Sequence, residues 1–124
     1  MDNNTIIIVI AVVLIGFGLL RMRLFGAAGI ASTARLQQLI DEGALVVDVR
    51  TPAEFAAGHV EGAINIPLDE IVDRTHELGE DGNPVILYCN TGNRSGQALV
   101  RLHRSGRTNL TNGGGLHHMP ASSG

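Results

Sequence analysis

VILYCNTGNRSGQA, residues 85–98, runs four apolar residues into the only cysteine of the 124-residue chain, Cys89, and then into a polar loop. Residues 85–89 read as a buried strand, and the helical pattern resumes from Ser95 to Gly106. Between them lie Asn90, Thr91, Gly92, Asn93 and Arg94. These are poor packing material and good turn formers. A free thiol ionises near pH 8.5, so a reactive one needs help at neutral pH. If the amides of residues 90–94 curl, they form a nest of N–H donors. The positive end of the helix beginning near Ser95 points at the same place. Gly92 permits the left-handed geometry of the curl, and Arg94 offers a fixed charge with a planar fork for an oxyanion. A lone cysteine in a strand is ordinarily a small buried hydrophobe. The loop behind Cys89 favours an anion cradle instead.

Working outward, helices and strands alternate. STARLQQLIDEG (32–43) carries Leu36, Leu39 and Ile40 at helical spacing, a Ser32 or Thr33 cap and a Gly43 stop. ALVVDV (44–49) is a buried strand. TPAEFAAG (51–58) opens a helix with Thr51 as cap, Pro52 at the first position and Glu54 completing a capping box. AINI (63–66) is a short strand, residues 68–78 read as an amphipathic helix, TNLTN (108–112) is a weak strand, and the tail after GGG reads as a frayed turn or a stub of helix. This order implies a small α/β fold: a parallel sheet of about five strands with helices on both faces. Function in such sheets sits at the carboxyl ends of strands. Cys89 and Asp48–Arg50 both lie there.

Composition narrows the choices. Twelve acids against nine basic residues give a formal charge of −3, and four aromatic residues are present. Nucleic acid is therefore not an expected partner. One cysteine excludes a disulfide framework and a cysteine-rich zinc site. Adjacent His117 and His118 diverge too much to share a metal, so neither metal nor cofactor is expected. His59 reads as a structural residue and Asp69, Glu70 and Asp73 as a solvated face.

Residues 6–20, IIIVIAVVLIGFGLL, contain no charge. As a helix they span only ~22 Å against a hydrocarbon core of about 30 Å, and Thr5 with residues 22–25 would extend the span. A secretory signal and a buried core helix compete with a single membrane anchor, which is the preferred reading. Arg21, Arg23 and Arg35 follow the span and none precedes it, which places the domain on the cytoplasmic side of a bacterial-type inner membrane, with a periplasmic domain as the alternative. The expected organisation is a tail and transmembrane helix (1–25) with membrane contact through residues 5–25, a linker (26–31), a domain (32–119) and a disordered tail (120–124).

DVRTPAEFAAGHVEGAINIPL (48–68), YCNTGNRSGQA (88–98) and TNLTNGGGL (108–116) stand in the order found in the single-domain rhodaneses, the thiosulfate sulfurtransferase family. The chain resembles that family, and in particular the short phage-shock rhodaneses of bacteria. The resemblance implies a persulfide mechanism in which Cys89 takes sulfane sulfur from thiosulfate or a similar small donor and passes it to a thiol, cyanide or protein acceptor. Asn90, Thr91, Gly92, Asn93, Arg94 and Ser95 would bind the substrate, with Arg94 on its charged end. Asp48 and Arg50 would brace the loop. Tyrosine-type phosphatases and their rhodanese-fold relatives place five residues between cysteine and arginine, whereas four lie between Cys89 and Arg94. The shorter loop favours a single sulfur over tetrahedral phosphate or arsenate. A non-catalytic sulfur carrier or binding module is the remaining class.

Overall fold

The computed structural model describes residues 2–121, and residues 20–28 of its first helix by backbone only. Ten elements follow one another: α1 (Asn3–Ala28), α2 (Thr33–Asp41), β1 (Leu45–Asp48), α3 (Pro52–Ala56), β2 (Ile64–Asn65), 3-10 turns at Leu68–Glu70 and Thr75–Leu78, β3 (Val85–Cys89), α4 (Asn93–Arg104) and β4 (Leu110–Gly115). The four strands form one parallel sheet in the order β2-β1-β3-β4. Four replaces the expected five. Among the described residues, the outer edge of β4 is met only by an isolated bridge from Ile30 to Asn112, too short to count as a strand.

Alternation along β3 supplies both cores. All five of its residues are buried. Val85, Leu87 and Cys89 face Ala98, Leu99 and Leu102 of α4 together with Ile66, Ile71 and Leu78. Ile86 and Tyr88 face the opposite way, onto Leu36 and Leu39 of α2 and onto Met119. A strand buried on both faces has no polar alternation, which is why VILYC reads as one apolar run.

Three sequence expectations need correction. Residues 68–78 form two 3-10 turns rather than one α-helix. Leu68 and Ile71 are three apart, a spacing that a 3-10 turn satisfies equally well, and Val72 is exposed. The last strand, expected at 108–112, runs from Leu110 to Gly115: Thr108 and Asn109 are exposed, and Asn112, Gly113 and Gly114 are buried against β3. At Gly113 a Cβ would stand 2.6 Å from Met119 Sδ and 2.8 Å from Ile86 Cγ2, so close packing there takes the place of side-chain bulk.

The third concerns the membrane. Among the described residues no helix is long and apolar enough to cross one, which overturns the expected transmembrane helix. The physical reason is length: the uncharged apolar run stops at Leu20, before Arg21, and covers ~22 Å of a hydrocarbon layer about 30 Å thick. The cytoplasmic orientation inferred from Arg21, Arg23 and Arg35 rested on that span.

Candidate active site

The site grows from the junction of β3 and α4. Gly92 adopts φ +92°, a left-handed turn, and α4 starts immediately after it at Asn93. The helix begins two residues earlier than its sequence pattern indicates, which brings Arg94 and Ser95 into its first turn. Its N-cap residue, Gly92, has no side chain with which to cap it. Its first N–H groups therefore need an acceptor, and Cys89 Sγ is in place: the Gly92 N–H donates to it at 3.0 Å, and Ser95 Oγ stands at 3.5 Å. The sulfur acts as the cap.

That role fixes its acidity. Burial, with Cys89 only 1% exposed, is the largest single influence and opposes ionisation. The Ser95 hydroxyl and the main-chain N–H groups of Ser95, Thr91 and Gly92 together outweigh it, so the thiol lies below its ordinary value. Side-chain hydrogen bonds fix the turn from behind. Ser95 Oγ donates to Asn112 Oδ1 at 2.7 Å, and Asn112 Nδ2 donates to the Gly92 carbonyl at 3.1 Å. The Gly114 N–H donates to Asn112 Oδ1 at 3.0 Å. Asn112, in a stretch read as a weak polar strand, is thus the hub of the loop's support. Its only sequence signal is a polar residue directly before a glycine run. A Cβ on Gly92 would stand 2.8 Å from Ile30 Cδ1 and 3.2 Å from Gly114 Cα, so the linker residue Ile30 also walls the turn.

The neighbouring strand end contributes a brace. Asp48 and Arg50 are both buried and form an ion pair at 2.6 Å. Arg50 also donates to Asp48 Oδ1 through Nε at 3.0 Å, to the Gly58 carbonyl at 2.7 Å and to Asn90 Oδ1 at 3.3 Å. The last bond ties β1 to the residue after Cys89. Tyr88 lies beside this pair, with the Arg50 guanidinium 5.8 Å from its ring centre. Burial pushes the Tyr88 hydroxyl up to about 12, and it accepts from the Val60 N–H at 2.9 Å. Asn65 closes the set by donating to the carbonyls of Asp48 and Arg50 at 3.0 and 2.9 Å.

Arg94 is placed differently from the sequence expectation. Both arms of its fork hold Glu54, at 2.7 and 2.9 Å. Glu54 accepts from Asn90 Nδ2 at 2.8 Å and from the Thr51 N–H at 3.2 Å as well. Its capping box with Thr51 forms as the sequence indicates. Nothing local in the sequence indicates that the same carboxylate reaches the loop arginine 40 positions away. Asn90, Thr91 and Asn93 are exposed at the rim, whereas Gly92 and Ser95 are buried. His59 stacks on Phe55 with ring centres 3.7 Å apart and bonds the Phe55 carbonyl. His118 bonds the Ala31 carbonyl at 2.7 Å. Neither reaches Cys89. No cluster of metal-ligating side chains occurs among the described residues.

The profile of the rhodanese-like domain matches residues 32–116. The chain is 45% identical over 71 residues to the thiosulfate sulfurtransferase PspE of Escherichia coli, an overlap of 56% of this chain and 68% of that protein. It is 39% identical over 84 residues to a sulfurtransferase of Allochromatium vinosum, covering 67% and 78% of the two chains. Among solved structures, a rhodanese with anions from E. coli matches with a TM-score of 0.62 at 38% identity, over 64% of this chain and 95% of that one. A human single-domain sulfurtransferase matches with a TM-score of 0.58 at 29% identity, over 69% and 88%.

Proposed function

This chain belongs to the rhodanese-like domain family and is a sulfurtransferase, and from that premise we propose that it carries sulfane sulfur as a persulfide on Cys89. The observation that supports this most directly is the set of main-chain N–H donors converging on Cys89 Sγ, with Ser95 Oγ 3.5 Å away. A sulfur held as the cap of α4 is stabilised as an anion, and the same donors suit the terminal sulfur of a persulfide.

The reaction has two halves. In the first, the Cys89 thiolate attacks the outer sulfur of thiosulfate or a similar donor. A new S–S bond forms as the donor's S–S bond breaks, and the electron pair leaves with sulfite. In the second, a thiol, cyanide or protein acceptor attacks the outer sulfur of the persulfide, and the pair returns to Cys89 as thiolate. Cys89 is the only cysteine in the sequence, so no resolving thiol is present within it. The acceptor has to come from outside.

Phosphatase or arsenate chemistry would call on the loop guanidinium to clamp a tetrahedral oxyanion. With Arg94 held by Glu54 on both arms, that reading has less support than sulfur transfer. The test is intact mass after incubation with thiosulfate, where addition of about 32 mass units to Cys89 is expected. Cyanide should then remove it as thiocyanate, and Cys89→Ser should show no adduct. A folded protein that stays unmodified in excess donor would reject the mechanism for thiosulfate.

A further inference from the structure

Building on the sulfur-transfer reading, we propose that Glu54 is a specificity-determining residue: by occupying Arg94 it favours sulfane donors of low negative charge over dianions such as thiosulfate.

Both arginines of the site already have carboxylate partners. Arg50 is bound to Asp48 in the interior, and Arg94 is bound to Glu54 nearer the surface, their side chains 33% and 29% exposed. A donor whose anionic end is to meet the Arg94 fork must displace Glu54. The carboxylate would not swing clear, because the Thr51 N–H, the Thr51 hydroxyl and Asn90 Nδ2 also hold it. It would stay beside the incoming anion as a second negative charge, in addition to the Cys89 thiolate. For a carboxylate about 6 Å from the donor's charge in a water-like dielectric, the repulsion of a dianion amounts to roughly tenfold in an equilibrium constant and that of a monoanion to roughly threefold. The effect scales with donor charge. A purely structural effect would not.

The experiment pairs thiosulfate, a dianion, with methanethiosulfonate, a monoanion that delivers the same outer sulfur. Attack by Cys89 thiolate releases sulfite from one and methanesulfinate from the other, and forms the same persulfide. Glu54→Gln removes the charge and keeps a side chain able to complete the capping box with Thr51. We expect kcat/KM to rise about tenfold for thiosulfate and about threefold for methanethiosulfonate, chiefly through KM. Glu42→Gln removes one negative charge at the exposed end of α2 and leaves Glu54 and Arg94 untouched, so the ratio between the donors should not move. Equal changes for the two donors, or a fall for both, would overturn the proposal.

The unmodified protein gives an independent reading through salt. Screening should speed loading by thiosulfate more than loading by methanethiosulfonate, because repulsion is being relieved. Slower thiosulfate loading at high salt would mean that Arg94 attracts the dianion freely, and the proposal would fail. If neither donor adds a sulfur to Cys89, the sulfur-transfer reading falls and takes this one with it. If both add it without charge discrimination, only this one falls.

Discussion

Arg50 and Arg94 each hold a carboxylate in a two-pronged grip, one at the end of β1 and the other at the start of α4. The partners of the first are two residues apart in sequence and out of contact with water, at 5% and 0% side-chain exposure. Those of the second are forty residues apart and about one-third exposed. Water is the difference that matters. A buried pair cannot lose one member without leaving an unsolvated charge, so it behaves as a fixed bracket. A pair near the surface can part at little cost, since solvent can take the place of either member. The fold thus braces the cysteine loop with one pair and adjusts access to it with the other.

The largest expected effect tests the bracket. Asp48→Asn keeps the shape of the side chain and removes the charge that faces Arg50, leaving a guanidinium buried without a counter-ion. A loss of about 3–5 kcal/mol is expected, measured by denaturant unfolding. Loss below ~1 kcal/mol would mean that water reaches Arg50, and the contrast between the two pairs would disappear.

Next in size is a change at the cap that lies between the pairs. Ser95→Ala removes one of the groups that lower the Cys89 thiol and also cuts the link to Asn112. The sign follows from the chemistry: the thiolate is the reactive form, so loading rises with pH and levels off above the thiol pKa, which here lies below its ordinary value. Removing the hydroxyl should move that rise to higher pH. At neutral pH the loading rate should fall roughly three- to tenfold, since a more basic thiolate is scarcer but a better nucleophile. A pH profile that does not move would assign the low thiol to the backbone donors alone.

How much of this was legible in the sequence depends on the separation of the parts. The β3–loop–α4 unit could be read because strand, cysteine and helix are contiguous, and the apolar run of residues 85–89 allows few other fates. The capping box at Thr51 and Glu54 is a three-residue signal and forms as read. What stayed hidden is long-range. Glu54 meets Arg94 across forty positions, and Asn112 meets Ser95 across seventeen. Each looks locally like an ordinary polar residue. The helix expected at 68–78 failed for a different reason. Apolar residues three apart serve a 3-10 turn as well as an α-helix, and nothing local decides between them. In the N-terminal run, apolar character suggests a span, but the uncharged stretch is short of a bilayer's width.

The smallest expected effect is the other half of the comparison. Arg94→Ala should change stability by only ~0–1 kcal/mol, because the pair it breaks is partly hydrated and Glu54 retains its bonds to Thr51 and Asn90. This contribution should also be indifferent to pH over the working range. The Arg94 fork and the Thr51 N–H hold the Glu54 carboxyl well below the usual carboxylate range. A depressed carboxylate contributes stability that is fully present above its unfolded pKa, about 4.3, and is lost only as pH falls through the lower folded value. Unfolding curves of the wild type and Arg94→Ala should therefore run parallel from about pH 5 to pH 8 and converge only in strong acid. Convergence near neutrality would show that Glu54 is protonated there, and a carboxyl that releases Arg94 at neutral pH could not discriminate donors by charge. Parallel curves with a small offset would leave the surface pair cheap to break and always charged, the combination that a selective latch over Cys89 requires.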